Sequence, residues 1–287
     1  MNTEAPPLCK PPRRDVTKPD FAMPEHACDC HYHIFDDPSP QVVPRTYTAP
    51  PAPLDALQNL HRTLGFSRSV VVQPSIYGTD NRTTLSAMES TDVTKAVVVV
   101  DDAISAAELA EVAQSGVVGC RVNQLFQSNT SLSDFQTFAR KIADVDWHLQ
   151  LLVDVSTFPD LDRTIRSLGV PVVFDHMGHM PAAKGVEDPG FQQLLRLVAD
   201  GTAWVKLSGA YRVSAGECPD YSDVDALVAA LLQANPERLV WGSDWPHPHV
   251  DTMPDDTHLL NLLAKWVPEG ALRNRILVDN PAALYGF

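Results

Sequence analysis

A chain of 287 residues, 44% apolar and 20% charged, has the composition of a soluble globular protein and the length for one large α/β barrel or two ordinary domains. Its 36 acidic and 22 basic residues give a net charge of −14, which argues against nucleic acid or an anionic membrane as partner and makes the place of each arginine informative. No apolar run reaches the roughly 18 residues that a membrane helix needs.

The first segment, Met1 to Pro24, carries Lys10, Arg13 and Arg14 without the apolar stretch of a secretory signal. Residues 1–24 therefore read as an irregular arm laid over a domain of residues 25–287. Cys9, Cys28, Cys30, Cys120 and Cys218 are an odd number without a repeated spacing, which fits reduced thiols in a cytoplasmic protein. The arm leads into Cys28-Asp29-Cys30-His31-Tyr32-His33. On an extended strand, side chains two apart share a face, so His31 and His33 project together and Cys30 points away from His31. Two imidazoles aimed at one point can hold a metal or polarise one oxygen; the same pair also suits a solvated edge.

A proline-rich loop follows, from Pro38 to Pro53, with Arg45 and Tyr47 inside it. It is too long for a plain connector and is a candidate wall of a site. A helix is predicted from Leu54 to Leu64, closed by Gly65, and then an apolar β-branched run from Ser69 to Gln73. Further apolar runs are Ala96 to Val100, Val117 to Val122, Trp147 to Val153, Val170 to Phe174, Ala203 to Leu207 and Leu239 to Trp241. Stretches with helical spacing lie between them: Ala106 to Ala113, Leu132 to Ile142, Leu161 to Leu168, Phe191 to Val198 and Val224 to Leu232. The end, Arg273 to Phe287, reads as a closing helix and a short tail. Continuous apolar strands alternating with helices indicate a parallel sheet covered on both faces. With the His31 strand there are eight, which predicts a single, distorted (β/α)8 TIM barrel. A doubly wound open sheet is the alternative, and it lacks a GxGxxG after the first strand.

In such a barrel the C-terminal strand ends share one mouth. Those ends deliver His31 and His33, Gln73 and Ser75, Asp101 and Asp102, Arg121 and Asn123, Asp154, Asp175 and His176, Lys206, Ser208 and Arg212, and finally Asp244. Asp101, Asp102 and Asp154 read as rim residues. His31, His33, His176 and Asp244 form a set that surface salt bridging explains poorly: three imidazoles to hold a metal or surround one oxygen, and a carboxylate to ligate or to act as base on water.

An HxH on the first strand, a His after the sixth and an Asp after the eighth resemble the amidohydrolase superfamily. The segments Val72-Gln73-Pro74-Ser75-Ile76-Tyr77-Gly78, Asp175-His176-Met177-Gly178, Lys206-Leu207-Ser208-Gly209-Ala210-Tyr211-Arg212 and Trp241-Gly242-Ser243-Asp244-Trp245-Pro246-His247 are similar to the amidohydrolase 2 type, in the branch of the 2-pyrone-4,6-dicarboxylate lactonases. The likeness runs from about Asp29 to Phe287.

It implies water attack on a cyclic ester that carries acid groups, as in aromatic-compound degradation. Asp244 would be the general base, and His31, His33 and His176 would polarise the carbonyl directly or through one divalent ion, zinc or manganese, ligated by those histidines and Asp244. Three imidazolium or metal-bound histidines around Asp244 should lower its pKa. A binuclear site is not expected, since Arg121 cannot ligate and His148 lies at the start of its strand. Arg121 and Arg212 are the candidate carboxylate forks, with Ser75, Tyr47 and Tyr77 as hydroxyl donors. Where the dicarboxylate pattern has a second arginine, this chain has Gln127, which opens the reading to a sulfonated or sugar-acid lactone. His179, His247 and His249 are placed near the pocket without roles. The rival reaction is a metal-dependent, non-oxidative decarboxylation of an aromatic acid. The partner expected is a small anionic lactone, with the chain a monomer or homodimer.

Overall fold

Eight parallel strands follow one another in sequence order, each hydrogen-bonded to the next: β1 (Cys28–Tyr32), β2 (Arg68–Val72), β3 (Thr94–Val98), β4 (Val117–Asn123), β5 (His148–Leu152), β6 (Val172–Phe174), β7 (Ala203–Leu207) and β8 (Leu239–Trp241). The structure, a computed structural model, describes residues 6–36, 40–126, 128, 135–216 and 219–287. Helices alternate with the strands: α1 (Leu54–Leu64), α2 (Arg82–Glu89), α3 (Ala106–Ala113), α4 (Phe135–Ala143), α5 (Leu161–Arg166), α6 (Pro189–Ala199), α7 (Ala210–Val213), α8 (Asp225–Ala234), α9 (Asp256–Trp266), α10 (Gly270–Asn274) and α11 (Asn280–Tyr285). This is the predicted (β/α)8 barrel.

Local chemistry explains the element ends. In α1, Leu57, Leu60 and Leu64 form one buried stripe, and Gly65 at φ 93° turns the chain out, its N–H donating to His61 O at 2.8 Å. A capping box opens α3: Ser105 Oγ accepts from Glu108 N, and Glu108 Oε2 accepts from Ser105 N. Asp188 caps α6, with Pro189 at its first position. The closing segment differs from the single helix expected after Arg273. It is α10, a π-turn at Arg275–Asp279, and α11 beginning at Asn280-Pro281.

The strands carry two apolar layers. Val71, Ala96, Val98, Phe174, Val205 and Trp241 face the helices, whereas Cys28, Cys30, Val70, Val72, Val97, Val173 and Val240 fill the interior, closed below by Tyr285 of α11. The register of β1 against β2 shifts between Asp29 and Tyr32, so strict alternation fails there and Cys30 joins the interior cluster beneath His31. Cys9, Cys28, Cys30 and Cys120 are free thiols; Cys218 and Gln127 lie outside the described residues.

The distortion sits at the β8–β1 seam. Closure there comes from the segment after β8: Asp244 N donates to His31 O and His33 N to Trp245 O, each at 2.7 Å, beside a Tyr32–Trp245 bridge. Gly242 permits this approach, because a Cβ on it would lie 2.6 Å from His31 Cβ and 2.8 Å from His31 N. The arm packs across the barrel top, with Cys9 N bonded to Thr48 O at 2.8 Å and Thr17 N to Thr257 Oγ1 at 3.1 Å.

Candidate active site

Four of the predicted residues meet. The Nε2 atoms of His31 and His33 each lie 3.6 Å from Asp244 Oδ1, and His176 Nε2 lies 3.7 Å from Asp244 Oδ2. All four side chains are buried. Of the nine non-glycine residues with positive φ among the described residues, six are His176, Met177, His179, Asp244, His247 and His249, in the loops after β6 and β8. Left-handed backbone at such residues costs on the order of 1 kcal/mol or more each, and it persists where the surroundings over-determine it. Strain is thus concentrated in the two loops that deliver His176 and Asp244.

A hydrogen bond settles the proton position on one of the rings. His33 Nδ1 faces Val72 O at 2.7 Å, and a carbonyl only accepts, so Nδ1 carries the proton and Nε2 is bare. His31 Nδ1 lies 3.2 Å from both Lys206 Nζ, which donates, and Asp175 Oδ1, which accepts, so its proton can sit on either nitrogen; His31 Nε2 lies 3.4 Å from His33 Nε2. His176 Nδ1 pairs with Ser208 Oγ at 2.9 Å.

A charged layer supports these rings from within the barrel. Asp175 Oδ2 accepts from Arg121 Nε at 3.0 Å and Gln150 Nε2 at 3.2 Å; Asp175 Oδ1 lies 3.5 Å from Lys206 Nζ and 3.2 Å from His31 Nδ1. Lys206 also donates to Cys30 O at 2.9 Å and Gln150 Oε1 at 2.8 Å. Burial works against the Asp175 charge, but His31, Arg121 and Lys206 hold its carboxyl well below the usual range.

Asp244 has two unlike oxygens. Its Oδ2 accepts from Arg212 Nε and from Tyr211 Oη at 2.6 Å, while Oδ1 is buried without a hydrogen-bond partner and faces the imidazoles. Its carboxyl lies well below the ordinary value. Burial opposes this, and the Arg212 guanidinium is the foremost of the groups that outweigh it. The expected direction holds, and His176, His33 and His31 add to it after Arg212. Burial pushes His31 down to about 3 and lowers His33 and His176 as well, so these rings are neutral.

The other sequence candidates divide. Arg212, expected as a free carboxylate fork, is tied to Asp244 and donates from Nη2 to Pro248 O at 3.2 Å; it also lines a cavity of about 640 Å³ with Tyr211, His179, Phe126, Tyr221 and His249. Arg121 is tied to Asp175. Tyr47 is buried with its ring stacked on His249, centroids 6.0 Å apart, and Ser75 lies near its hydroxyl. Tyr77 packs edge-on against Phe35 at 6.3 Å. Asp154 is engaged with the backbone and hydroxyl of Ser156, as a rim residue would be.

His31, His176 and Asp244 offer ligand atoms within 4.8 Å of one another. These residues fit one divalent ion, since Asp175 Oδ1 stands ready to accept a proton on His31 Nδ1 and free its Nε2. His33, expected in the same ligand set, is outside this trio.

Three comparisons bear on this geometry. A 4-sulfomuconolactone hydrolase of Rhizobium radiobacter is 36% identical over 289 residues, covering 98% of this chain and 96% of its own. A D-galactarolactone isomerase of Agrobacterium fabrum is 30% identical, covering 94% of each. A crystal structure from Pseudomonas putida, of a candidate 2-pyrone-4,6-dicarboxylic acid hydrolase, is 33% identical with a TM-score of 0.81, covering 92% of this chain and 98% of that one. The amidohydrolase family model matches residues 28–287, and this chain, with its imidazoles and carboxylate gathered at the barrel mouth, belongs to that family.

Proposed function

We propose that this protein hydrolyses the ring ester of a small anionic lactone. The observation that carries the reading is Asp244 Oδ1, an ionised, buried oxygen without a hydrogen bond, 3.6 Å from His33 Nε2 and His31 Nε2. Oδ1 and the bare His33 Nε2 are both acceptors, so together they can hold the two protons of one water. Asp244 takes a proton as the water oxygen bonds to the carbonyl carbon, and His31, with its proton on Nε2, donates to the oxygen on which charge develops. The ring C–O bond then breaks, and Asp244 returns the proton to the leaving oxygen. A zinc or manganese ion on His31, His176 and Asp244 would polarise the same carbonyl.

Arg212 and Arg121 each spend one edge on a carboxylate of the protein. Their remaining N–H groups give direction more than net positive charge, which favours a lactone with one acid group over one with two. Tyr47 and Ser75 add hydroxyls on that side, and a space of about 640 Å³ suits a small ring acid. Among the described residues no helix is long and apolar enough to cross a membrane; we read the enzyme as cytoplasmic, a monomer or homodimer, acting in the breakdown of aromatic compounds.

The test is a panel of carboxylated, sulfonated and sugar-acid lactones in weak buffer, with and without a chelator. One equivalent of acid per ring opened is expected. Carbon dioxide release would establish the rival decarboxylation, and an isomeric lactone without acid release would establish ring migration.

A further inference from the structure

Residues 6–10 of the arm touch two loops of the barrel mouth at once. On one side Cys9 N donates to Thr48 O at 2.8 Å, Thr48 N to Pro7 O at 2.7 Å and Thr48 Oγ1 to Pro6 O at 3.0 Å, beside a parallel Leu8–Thr48 bridge. On the other side His249 N donates to Cys9 Sγ at 3.1 Å, and Lys10 Nζ donates to Asp251 O. The two loops joined in this way carry Tyr47 and His249, whose rings are stacked with centroids 6.0 Å apart. Phe126 stands edge-on to both, 6.1 Å from Tyr47 and 5.8 Å from His249.

The loop after β8 is anchored in two halves. The barrel fixes the first: His247 Nε2 lies 2.9 Å from Asp256 Oδ1, and Pro248 O accepts from Arg212. The second half, from His249 to Asp251, is bonded to the arm. His249 is exposed and has φ 59°, a backbone that costs energy and persists where neighbours fix it. Its N–H donates to Cys9, so the arm is such a neighbour. His249 and Phe126 both line the cavity of about 640 Å³, with their planes 85° apart and the buried Tyr47 packed against them. That corner gives a flat ring one aromatic face to lie on and a second ring to meet edge-on, while the acid group falls to the arginines.

We propose that residues 6–10 are a positioning strap that ties the β8 loop to the Tyr47 loop and so holds His249 in the wall that accepts the lactone ring. The role of the wall rests on the lactone-hydrolysis reading; the strap does not.

Amide hydrogen exchange followed by NMR reads the strap without any substrate. Cys9→Ala removes the sulfur and leaves the bond to Thr48, whereas Cys9→Pro removes both. The His249 amide should exchange roughly threefold or more faster in Cys9→Ala and faster still in Cys9→Pro, with the Asp244 and His33 amides at the seam unchanged. An unchanged His249 rate in Cys9→Ala overturns the proposal, and so does equal acceleration at the seam, which would mean general loosening. With a lactone from the panel, Cys9→Pro and His249→Ala should each raise KM about three- to tenfold for a flat, unsaturated ring, with kcat within about twofold. KM for a saturated ring bearing the same acid group should stay within about twofold. The double variant should add little to the larger single effect, since the strap acts through His249. A KM that rises alike for both rings, or a fall in kcat alone, overturns the role of the wall. Absence of turnover with every lactone would overturn the hydrolysis reading and leave the exchange rates to decide the strap.

Discussion

Histidine is buried at both ends of this barrel, with opposite consequences. At the mouth, His31, His33 and His176 each have one ring nitrogen held by a named partner, which presents the other toward Asp244. At the floor, His148 begins β5 with neither ring nitrogen hydrogen-bonded; a Cβ on Gly119 would lie 2.4 Å from its ring, and Tyr285 packs against it at 5.5 Å. Burial pushes both His148 and His31 down to about 3. Displacement of a pKa by burial therefore does not mark a site. Convergence of oriented nitrogens on an ionised oxygen does.

The largest way to break this contrast is Asp244→Asn. It should lower kcat by three or more powers of ten, as loss of a general base does. Because Arg212 would then be a buried charge without its partner, the variant should also lose about 3–5 kcal/mol of stability. Steady-state rates and urea unfolding check both, and near-wild-type turnover would remove Asp244 as the base.

Acid should act next most strongly. The folded-state value of His148 lies below its unfolded value of about 6.5, so on acidification the unfolded chain takes up a proton there before the folded chain does. Stability should thus fall as pH drops from about 6.5 toward 4, and urea midpoints across that range measure the slope. The acid limb of kcat, governed by Asp244, should lie below the ordinary carboxylate value; a limb near pH 6.5 would contradict neutral mouth histidines.

The smallest effect is expected from His148→Leu. Replacing a polar ring that makes no hydrogen bond with an apolar side chain should leave kcat within about twofold and stability within about 1–2 kcal/mol. The variant should also show a shallower loss of stability with acid. A large fall in kcat would mean that the floor reaches the chemistry through Lys206.

Much of the fold was legible because burial on both faces leaves a continuous apolar run. Ala203 to Leu207 and Leu239 to Trp241 are strands over those bounds, and Leu54 to Leu64 and Ala106 to Ala113 are helices over theirs. The first residues of β3, Thr94 and Lys95, were missed because they are only half-buried. Helix α9 was also missed, although Leu259, Leu260 and Leu263 carry its spacing. In the site, His31, His33, His176 and Asp244 could be read from strand ends alone. Their partners could not. The attachment of Arg212 to Asp244, of Arg121 to Asp175 and of Asp256 to His247 depends on how loops fold back, which no local pattern encodes. Gln127, on which substrate charge partly turned, lies outside the described residues.

The seam has a consequence for how the molecule tolerates change. The backbone amides of Asp244 and His33 are what stitch the last strand to the first, across a glycine with no room for a methyl group. Drift in the loop after β8 cannot retune chemistry without also loosening the cylinder. A ligand gripping Asp244 and His31 together should conversely act as a clasp, protecting the Asp244 amide from deuterium exchange more than amides elsewhere in the barrel.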